Sequence, residues 1–490
     1  MIKRMFHHRI FVLAALLLAG INLNAQFMLS PDTTYAQAWQ AIDSLEGRGQ
    51  YRTALEETEN LYARAKADGE QAQEVKALLY RLGYVQELNE DGQIVAIQNL
   101  EEAYQRAETP VKPVLASLLG SWYYGYWESN RWQINQRTPL AEDPGIDLTQ
   151  WTAADFIRRS TELMLVSAED TETRLVDLTD FGILLTKGEN TDGLWPTLYD
   201  FLVHRAIEHF DRADAFLAEP NYQAALDGDY LFAPLRDFLS AEIPTAERVS
   251  STARALQLYQ RALAWHVRQG GPDVLFDLNL QRLQFAHRFS QQSDKDERLA
   301  AALDRLRTTE AGTPREARVI YAQMELRWEQ GNQYQEDGPE ALRWAWRDAL
   351  QLNDQLQSRF AASIPAQQGA SLAARIRQPE LNAQVEAVNL PGEHGLASLR
   401  YRNVPQAFFR IVEISENDYL NQLDEENFLR SLLRRRAQQS WSEELPAPGD
   451  YREHRTETSF RPLPGGVYVL LMSNHEDFST QGGVVHYLPF

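Results

Sequence analysis

The side chains that could carry chemistry are scattered along the chain and form no catalytic or metal-binding motif. The chain contains no cysteine, which excludes a disulfide framework, a thiolate metal site and a cysteine nucleophile. His204 and His209 lie five residues apart in a segment predicted to be helical, so they point to different faces and suit a single metal ion poorly. We therefore expect both histidines to pack in the interior or lie at the surface, and we predict no metal site and no cofactor.

The acidic residues also give little indication of catalysis. The chain has 69 Asp and Glu residues, so groups such as Asp200, Glu208 and Asp211 are expected by chance. A nucleophile elbow, a phosphate-binding loop, a zinc-protease helix and a calcium-binding loop are all missing from the sequence. The sequence therefore predicts a protein without catalytic residues, which is not an enzyme.

One short segment is rich in aromatic residues. Such side chains can stack on a glycan or a peptide, but Trp and Tyr at helical spacing more often fill an interior. We favour the packing interpretation and expect at least one of Trp127 and Trp132 to lie in the core. Partner binding remains the alternative, and its candidate residues are Trp122, Tyr126, Trp127, Arg131 and Trp132.

The charge balance excludes some classes of partner. The formal net charge is −21, with 48 basic and 69 acidic residues in 490. Nucleic-acid binding requires a basic surface, and an acidic protein is repelled by anionic lipid. We therefore predict protein partners and no nucleic acid.

Residues 1–25 predict a secretory signal peptide. Lys3, Arg4 and Arg9 precede an apolar run over residues 10–20, which is too short to span a membrane, and Ala25 suits the cleavage position. The sequence thus predicts an exported protein of the periplasm or cell envelope, or a secreted one. No transmembrane segment is expected after the signal is removed.

Apolar residues recur at intervals of three and four from residue 35 to about residue 377, which predicts successive amphipathic helices. Pro196, Pro314 and Pro339 are expected in first helical turns, and Thr152 with Asp155 resembles a cap. Short connections favour antiparallel hairpins. Predicted helical segments include residues 51–65, 75–85, 94–107, 114–123, 196–210, 251–268, 272–289, 295–306, 314–329 and 339–360.

Two hairpins contain fragments of the tetratricopeptide pattern. Gly49 and Tyr51 form one fragment, and Gly331 and Tyr334 form the other. The glycine would permit a tight turn between helices, and the tyrosine would pack across the hairpin. No strict period persists, so we predict a degenerate, tetratricopeptide-like helical-repeat solenoid over residues 26–380.

The hydrophobic period changes after Pro379. Short β-rich runs bounded by Pro, Gly, Asn or Asp predict a β-sandwich over residues 381–490, with one inserted helix over residues 415–439 that includes Arg434, Arg435 and Arg436. Residues 483–490 are predicted to be a strand, and no polar tail follows it. We therefore expect the sandwich to be truncated at its C-terminus and the chain to be the first part of a longer protein. Further strands are predicted at residues 385–388, 397–401, 408–413, 451–460 and 466–472.

Six short segments of the mature chain carry a resemblance to a known family. They are AWQAIDSL at 38–45, YGYWESNRW at 124–132, PTLYDFLVHRA at 196–206, VNLP at 388–391, YRNV at 401–404 and LPGGVYVL at 463–470. In this order they resemble the N-terminal region of bacterial alpha-2-macroglobulin-like exported proteins. The resemblance implies a helical leader followed by macroglobulin-type β-sandwich domains, in proteins that trap proteases. No functional residue of the family matches a position of this chain, which contains neither a bait region nor a thioester.

Two functions are therefore predicted. The first is a non-enzymatic scaffold or partner-binding part of an exported alpha-2-macroglobulin-like protease inhibitor, whose partners are downstream macroglobulin domains, envelope proteins and target proteases. The alternative is a tetratricopeptide-like glycan-binding accessory protein of the bacterial outer membrane. An exported hydrolase is disfavoured because no catalytic constellation is found.

Overall fold

The chain divides into two compact units, residues 1–217 and 218–490, and each is described on its own. The predicted signal peptide lies outside the described residues. The computed structural model describes residues 33–138, 145, 147–186, 188, 193–213, 226–243, 251–386, 389–415, 417–418, 425–478 and 485–489.

The first unit consists of helices that pack in chain order. Each long helix packs against the long helix that follows it in the sequence. Helix α5 packs against α4, α7 and α8. Two short 3-10 turns, Glu172–Leu175 and Leu178–Leu184, precede the last helix. The helices are α1 Tyr35–Gly47, α2 Tyr51–Asp68, α3 Gln71–Leu88, α4 Gly92–Arg106, α5 Val111–Ser129, α6 Arg131–Ile134, α7 Ala153–Glu169 and α8 Leu198–Ala213.

Side-chain caps mark the starts of α1, where Thr34 and Gln37 form a capping box, and of α7 and α8. The predicted cap at α7 is confirmed, because Thr152 and Asp155 form a reciprocal capping box. The expectation that Pro196 lies in the first turn of α8 is wrong. Thr197 and Asp200 cap this helix instead: the main-chain N–H of Thr197 donates to the Asp200 carboxylate at 3.0 Å, and that of Asp200 to the Thr197 hydroxyl at 3.3 Å.

The second unit begins with further helices. Pro314 is the first residue of its helix, as predicted. The single helix predicted over residues 339–360 is wrong, because Trp344 separates two helices and Pro339 precedes the first of them. The helices are α9 Leu235–Ser240, α10 Ser251–Gln269, α11 Pro272–Phe289, α12 Lys295–Thr309, α13 Pro314–Asn332, α14 Glu340–Arg343, α15 Ala345–Phe360 and α16 Ile364–Arg377.

The two glycines of the tetratricopeptide-like fragments have different roles. Gly49 has φ of 72° and makes the tight turn between α1 and α2, as predicted. Gly331 lies within α13 without a positive φ, so the predicted turn is wrong there. A Cβ on Gly331 would lie 2.2 Å from the ring of Trp346, so this glycine allows close approach of α15.

Two antiparallel sheets follow the helices. The first has the order β1-β2-β5 and the second the order β4-β3-β6-β7. Buried residues of both sheets, among them Leu399 of β2 and Phe409 of β3, form one core between them. The strands are β1 Glu380–Val385, β2 Gly395–Arg402, β3 Gln406–Ile414, β4 Gln439–Glu444, β5 His454–Phe460, β6 Val467–Ser473 and β7 Val485–Pro489.

The outer face of the second sheet is covered by helix α17, Glu425–Leu433. Leu432 packs on Val412 of β3 and on Val469 and Leu471 of β6. The inserted helix is thus shorter than predicted, and Arg434, Arg435 and Arg436 follow its end instead of lying on its face. Strand β4 was not predicted, and it begins at Gln439, the last residue of the predicted helix.

The main architectural prediction is confirmed for the described residues. The chain is mainly helical up to Arg377, and antiparallel strands begin at Glu380. The predicted last strand is present as β7, which pairs with β6. Among the described helices, none combines the length and the apolar character that crossing a membrane would require.

The glycine at position 331 provides a test of this packing. Gly331→Ala should lower the free energy of unfolding by about 1–3 kcal/mol, because the new methyl group overlaps Trp346. Gly125→Ala, within α5 with no atom in reach of a Cβ, should raise stability by about 0.5–1 kcal/mol. Urea denaturation of both variants checks this. Equal effects of the two substitutions would contradict it.

Candidate functional site

The aromatic segment lies at the end of α5 and in α6, and the structure separates its five candidate residues. Trp122 and Tyr126 are half-buried against the core of the first unit. Trp127 is only 2% exposed, whereas Trp132 is 77% exposed and Arg131 is also exposed. The segment therefore lies partly in the interior and partly at the surface. At least one of Trp127 and Trp132 was predicted to lie in the core, and Trp127 does.

Trp127 is held by specific contacts. Its indole N–H donates to Oδ1 of Asn135 at 3.2 Å, so the buried polar group is satisfied. The ring of Tyr124 meets the Trp127 ring edge-on with centroids 5.4 Å apart, and the guanidinium of Arg131 lies 5.5 Å from its centroid. These contacts indicate a packing role for Trp127, and they leave Trp132 as the tryptophan of this segment that a partner could reach.

Ser160 and His209 lie next to each other in the first unit. A serine beside a histidine can be a nucleophile with its base, but the hydrogen bonds of this pair indicate a structural role. The hydroxyl of Ser160 on α7 donates to the carbonyl of Gly120 on α5 at 2.6 Å, and Nε2 of His209 on α8 lies 3.2 Å from Ser160 Oγ. Since the serine proton is already used, the imidazole N–H donates to the serine oxygen. Both side chains are buried, so the pair cross-links three helices and is closed to a substrate.

The electrostatic environment of His209 agrees with this role. Burial, together with the positive charges of Arg212 and Arg205, lowers the pKa of His209 to about 4. A base of such low pKa is neutral in neutral solution and removes a proton from a serine poorly. Nearby carboxylates have other tasks: Asp200 caps α8 and Glu208 pairs with Arg212. In the described segments, no group of three or more His, Asp or Glu residues is arranged to hold a metal ion.

A group of buried polar side chains that local sequence patterns do not predict surrounds Arg452 in the second unit. Its guanidinium donates to three main-chain carbonyls at the ends of α13 and α14: Gly331 at 2.5 Å, Leu342 at 2.6 Å and Arg343 at 3.1 Å. The same group lies 4.2 Å from the ring centroid of Trp346. Arg452 thus joins the connection between β4 and β5 to the helices.

Asp450 completes this group. Its carboxylate is 1% exposed and accepts hydrogen bonds from Arg343 at 2.9 Å and from the main-chain N–H of Arg452 at 3.1 Å, and it lies 2.8 Å from Nε2 of His454. Burial alone would raise the pKa of Asp450, but the hydrogen bonds from His454, Arg452 and Arg343 lower it below its ordinary value. We call Arg343, Asp450, Arg452 and Trp346 the helix–sheet joint.

The joint continues into a stack of aromatic and cationic side chains. Trp346 stacks on Trp328 of α13 with centroids 5.1 Å apart and an interplanar angle of 14°, and its indole N–H donates to the Trp328 carbonyl at 3.2 Å. The guanidinium of Arg375, on α16, lies 5.0 Å from the Trp328 ring. The stack connects the sheets to α13, α15 and α16.

Comparison with models of known protein families and with curated proteins finds no match for this chain.

The two tryptophans of the aromatic segment should respond differently to truncation. Trp127→Ala should lower the free energy of unfolding by about 3–5 kcal/mol, because it removes a large buried ring. Trp132→Ala should change it by less than about 0.5 kcal/mol, because the ring is exposed. Urea denaturation followed by circular dichroism checks this, and comparable losses in both variants would contradict the assignment.

The depressed pKa of His209 predicts how stability depends on pH. The folded protein keeps this imidazole neutral down to about pH 4, while the unfolded chain binds a proton below about 6.5. Acidification through this interval should therefore favour unfolding, and a His209→Gln variant should show less of this loss. NMR titration of the His209 ring protons provides the direct measurement. A midpoint near 6.5 would show that the imidazole is not buried as described.

Proposed function

We propose that this chain is a non-enzymatic scaffold and partner-binding part of an exported alpha-2-macroglobulin-like protease inhibitor. In this proposal the helices form a degenerate tetratricopeptide-like solenoid, and the two sheets are a macroglobulin-type β-sandwich. The order of helices, then two packed antiparallel sheets, supports the proposal, as do the six sequence segments that resemble the family. The signal peptide predicted over residues 1–25 supports export to the periplasm or cell envelope.

The observation that carries the proposal is the helix–sheet joint. A binding module on a free tether needs no buried contact with its neighbour, whereas a positioning part does. Arg452 and Asp450 are both buried where the sheets meet α13 and α14. A sheet region fastened in this way can present its surfaces in a defined direction to downstream macroglobulin domains, envelope proteins or a target protease.

Charge indicates the chemistry of a partner of the first unit. Residues 33–213 contain 30 acidic and 16 basic residues. Such an excess attracts a partner with a basic surface and speeds its association at low ionic strength. The proposal therefore places binding of a basic protein surface, not of nucleic acid, on these helices.

The scaffold proposal is tested by protease inhibition. The purified chain, residues 26–490, should cleave no substrate and inhibit no protease, since it contains neither a bait nor a covalent trap. If the gene continues past codon 490, its full-length product should hinder proteases from cleaving large protein substrates. Hydrolysis by residues 26–490, or a longer gene product that hinders no protease, would overturn the proposal.

Glycan binding is the second candidate, and the 77% exposure of Trp132 beside Arg131 favours it. An exposed indole can stack on the apolar face of a sugar ring. Trp132→Ala would then abolish binding of oligosaccharides on an array, while Leu175→Ala, which truncates another exposed apolar residue of this unit, would not. The scaffold proposal expects no oligosaccharide binding by either variant or by the parent chain.

A further inference from the structure

We propose that the connection between β4 and β5, residues 445–453, is a strained latch that sets the orientation of the two sheets relative to α13–α16. The latch contains Asp450 and Arg452 of the helix–sheet joint, and three features of residues 445–453 support its role.

The first feature is backbone strain. Gly449 has φ of 79°, which glycine adopts without strain, whereas Tyr451 has φ of 58°, in the left-handed region that a bulky side chain rarely adopts. A conformation of this kind persists only where surrounding contacts compensate for its cost. Tyr451 packs against the core of α13, α15 and α16, so the strained residue is also a docking residue.

The second feature is the chemistry of docking. The last carbonyls of a helix have no partner within the helix, and they carry its negative end. Arg452 binds such carbonyls at the ends of α13 and α14 with three N–H groups, while Asp450 holds Arg343 of α14. The latch is therefore held by the side chains of Asp450 and Arg452, on either side of Tyr451, and loss of either side chain releases several contacts together.

The third feature is topology. Strand β4 belongs to one sheet and β5 to the other, so the latch acts on both sheets. The β2–β3 connection also passes between the sheets, and its residue Asn403, with φ of 56°, donates to the carbonyls of Ile376 at 2.7 Å and Gln378 at 3.1 Å. The covalent link from α16 to β1 is only residues 378–379. Without the contacts of Arg452 and Asp450, we expect the two sheets to rotate relative to α13–α16 about residues 378–379 and Asn403.

A distance measurement tests the latch. Because the chain has no cysteine, spin labels can be attached at two introduced ones, Gln351→Cys on α15 and Ser398→Cys on β2, both exposed positions. We expect one narrow distance distribution in the labelled parent chain and at least a twofold broader one after Arg452→Ala. Arg455→Ala, an exposed position on β5 with the same change of charge, is the matched control and should leave the width unchanged.

Circular dichroism establishes whether each variant is folded. A folded Arg452→Ala variant with the narrow parent distribution would overturn the proposal, as would equal broadening by Arg455→Ala. If Arg452→Ala does not fold, the width of the same distance distribution is measured in Arg452→Lys instead. The lysine ammonium keeps the charge but cannot bind the three diverging carbonyls at once. Broadening in that variant supports the latch, and an unchanged width refutes it.

Discussion

The buried guanidinium of Arg452 is the constraint on which the second unit depends. A buried charge is tolerated only when its hydrogen-bonding groups are satisfied. Burial lowers the pKa of Arg452, and the neighbouring Asp450 carboxylate acts against this shift. The carbonyls that accept from Arg452 lie at the ends of α13 and α14, where that of Gly331 also accepts from the Tyr334 N–H and that of Leu342 from the Trp344 N–H. These three hydrogen bonds satisfy the buried guanidinium and hold the sheets where the two helices end.

Arginine plays a similar connecting role elsewhere in the described chain, which has no cysteine for disulfides. Arg282, 1% exposed, donates to the carbonyls of Leu231 and Ala233, about fifty positions earlier. Arg359 binds the buried carboxylate of Glu316 at 2.6 and 2.5 Å, and these hydrogen bonds lower the pKa of Glu316 to about 2. The planar, multiply donating guanidinium suits such long-range connections better than the single ammonium of lysine.

The sequence allowed good prediction where local periodicity determines structure and poor prediction where distant contacts do. The helix predicted over residues 272–289 is found with those bounds, because its apolar stripe and its first-turn proline act locally. Strand β4 was missed because its residues are polar and no continuous apolar run marks it. Trp127 and Trp132 could not be told apart, since only the break between α5 and α6 decides which ring turns inward. The joint was unforeseeable from local pattern because Arg452 and Leu342 are 110 positions apart.

The link between helices and sheets has a consequence for how substitutions act on this protein. Two residues of covalent linker cannot by themselves fix an orientation, so the direction of the sheets depends on side chains at Arg452, Asp450 and Asn403. Their contacts are separate from the core between the sheets, whereas Arg452 also lies over Trp346 of the α13–α16 core. A substitution in the latch can therefore leave the core between the sheets intact and still change how the sheets are presented. Loss of function without loss of folded structure is then the expected signature of a defect there, in contrast to the defects caused by truncating core residues such as Trp127.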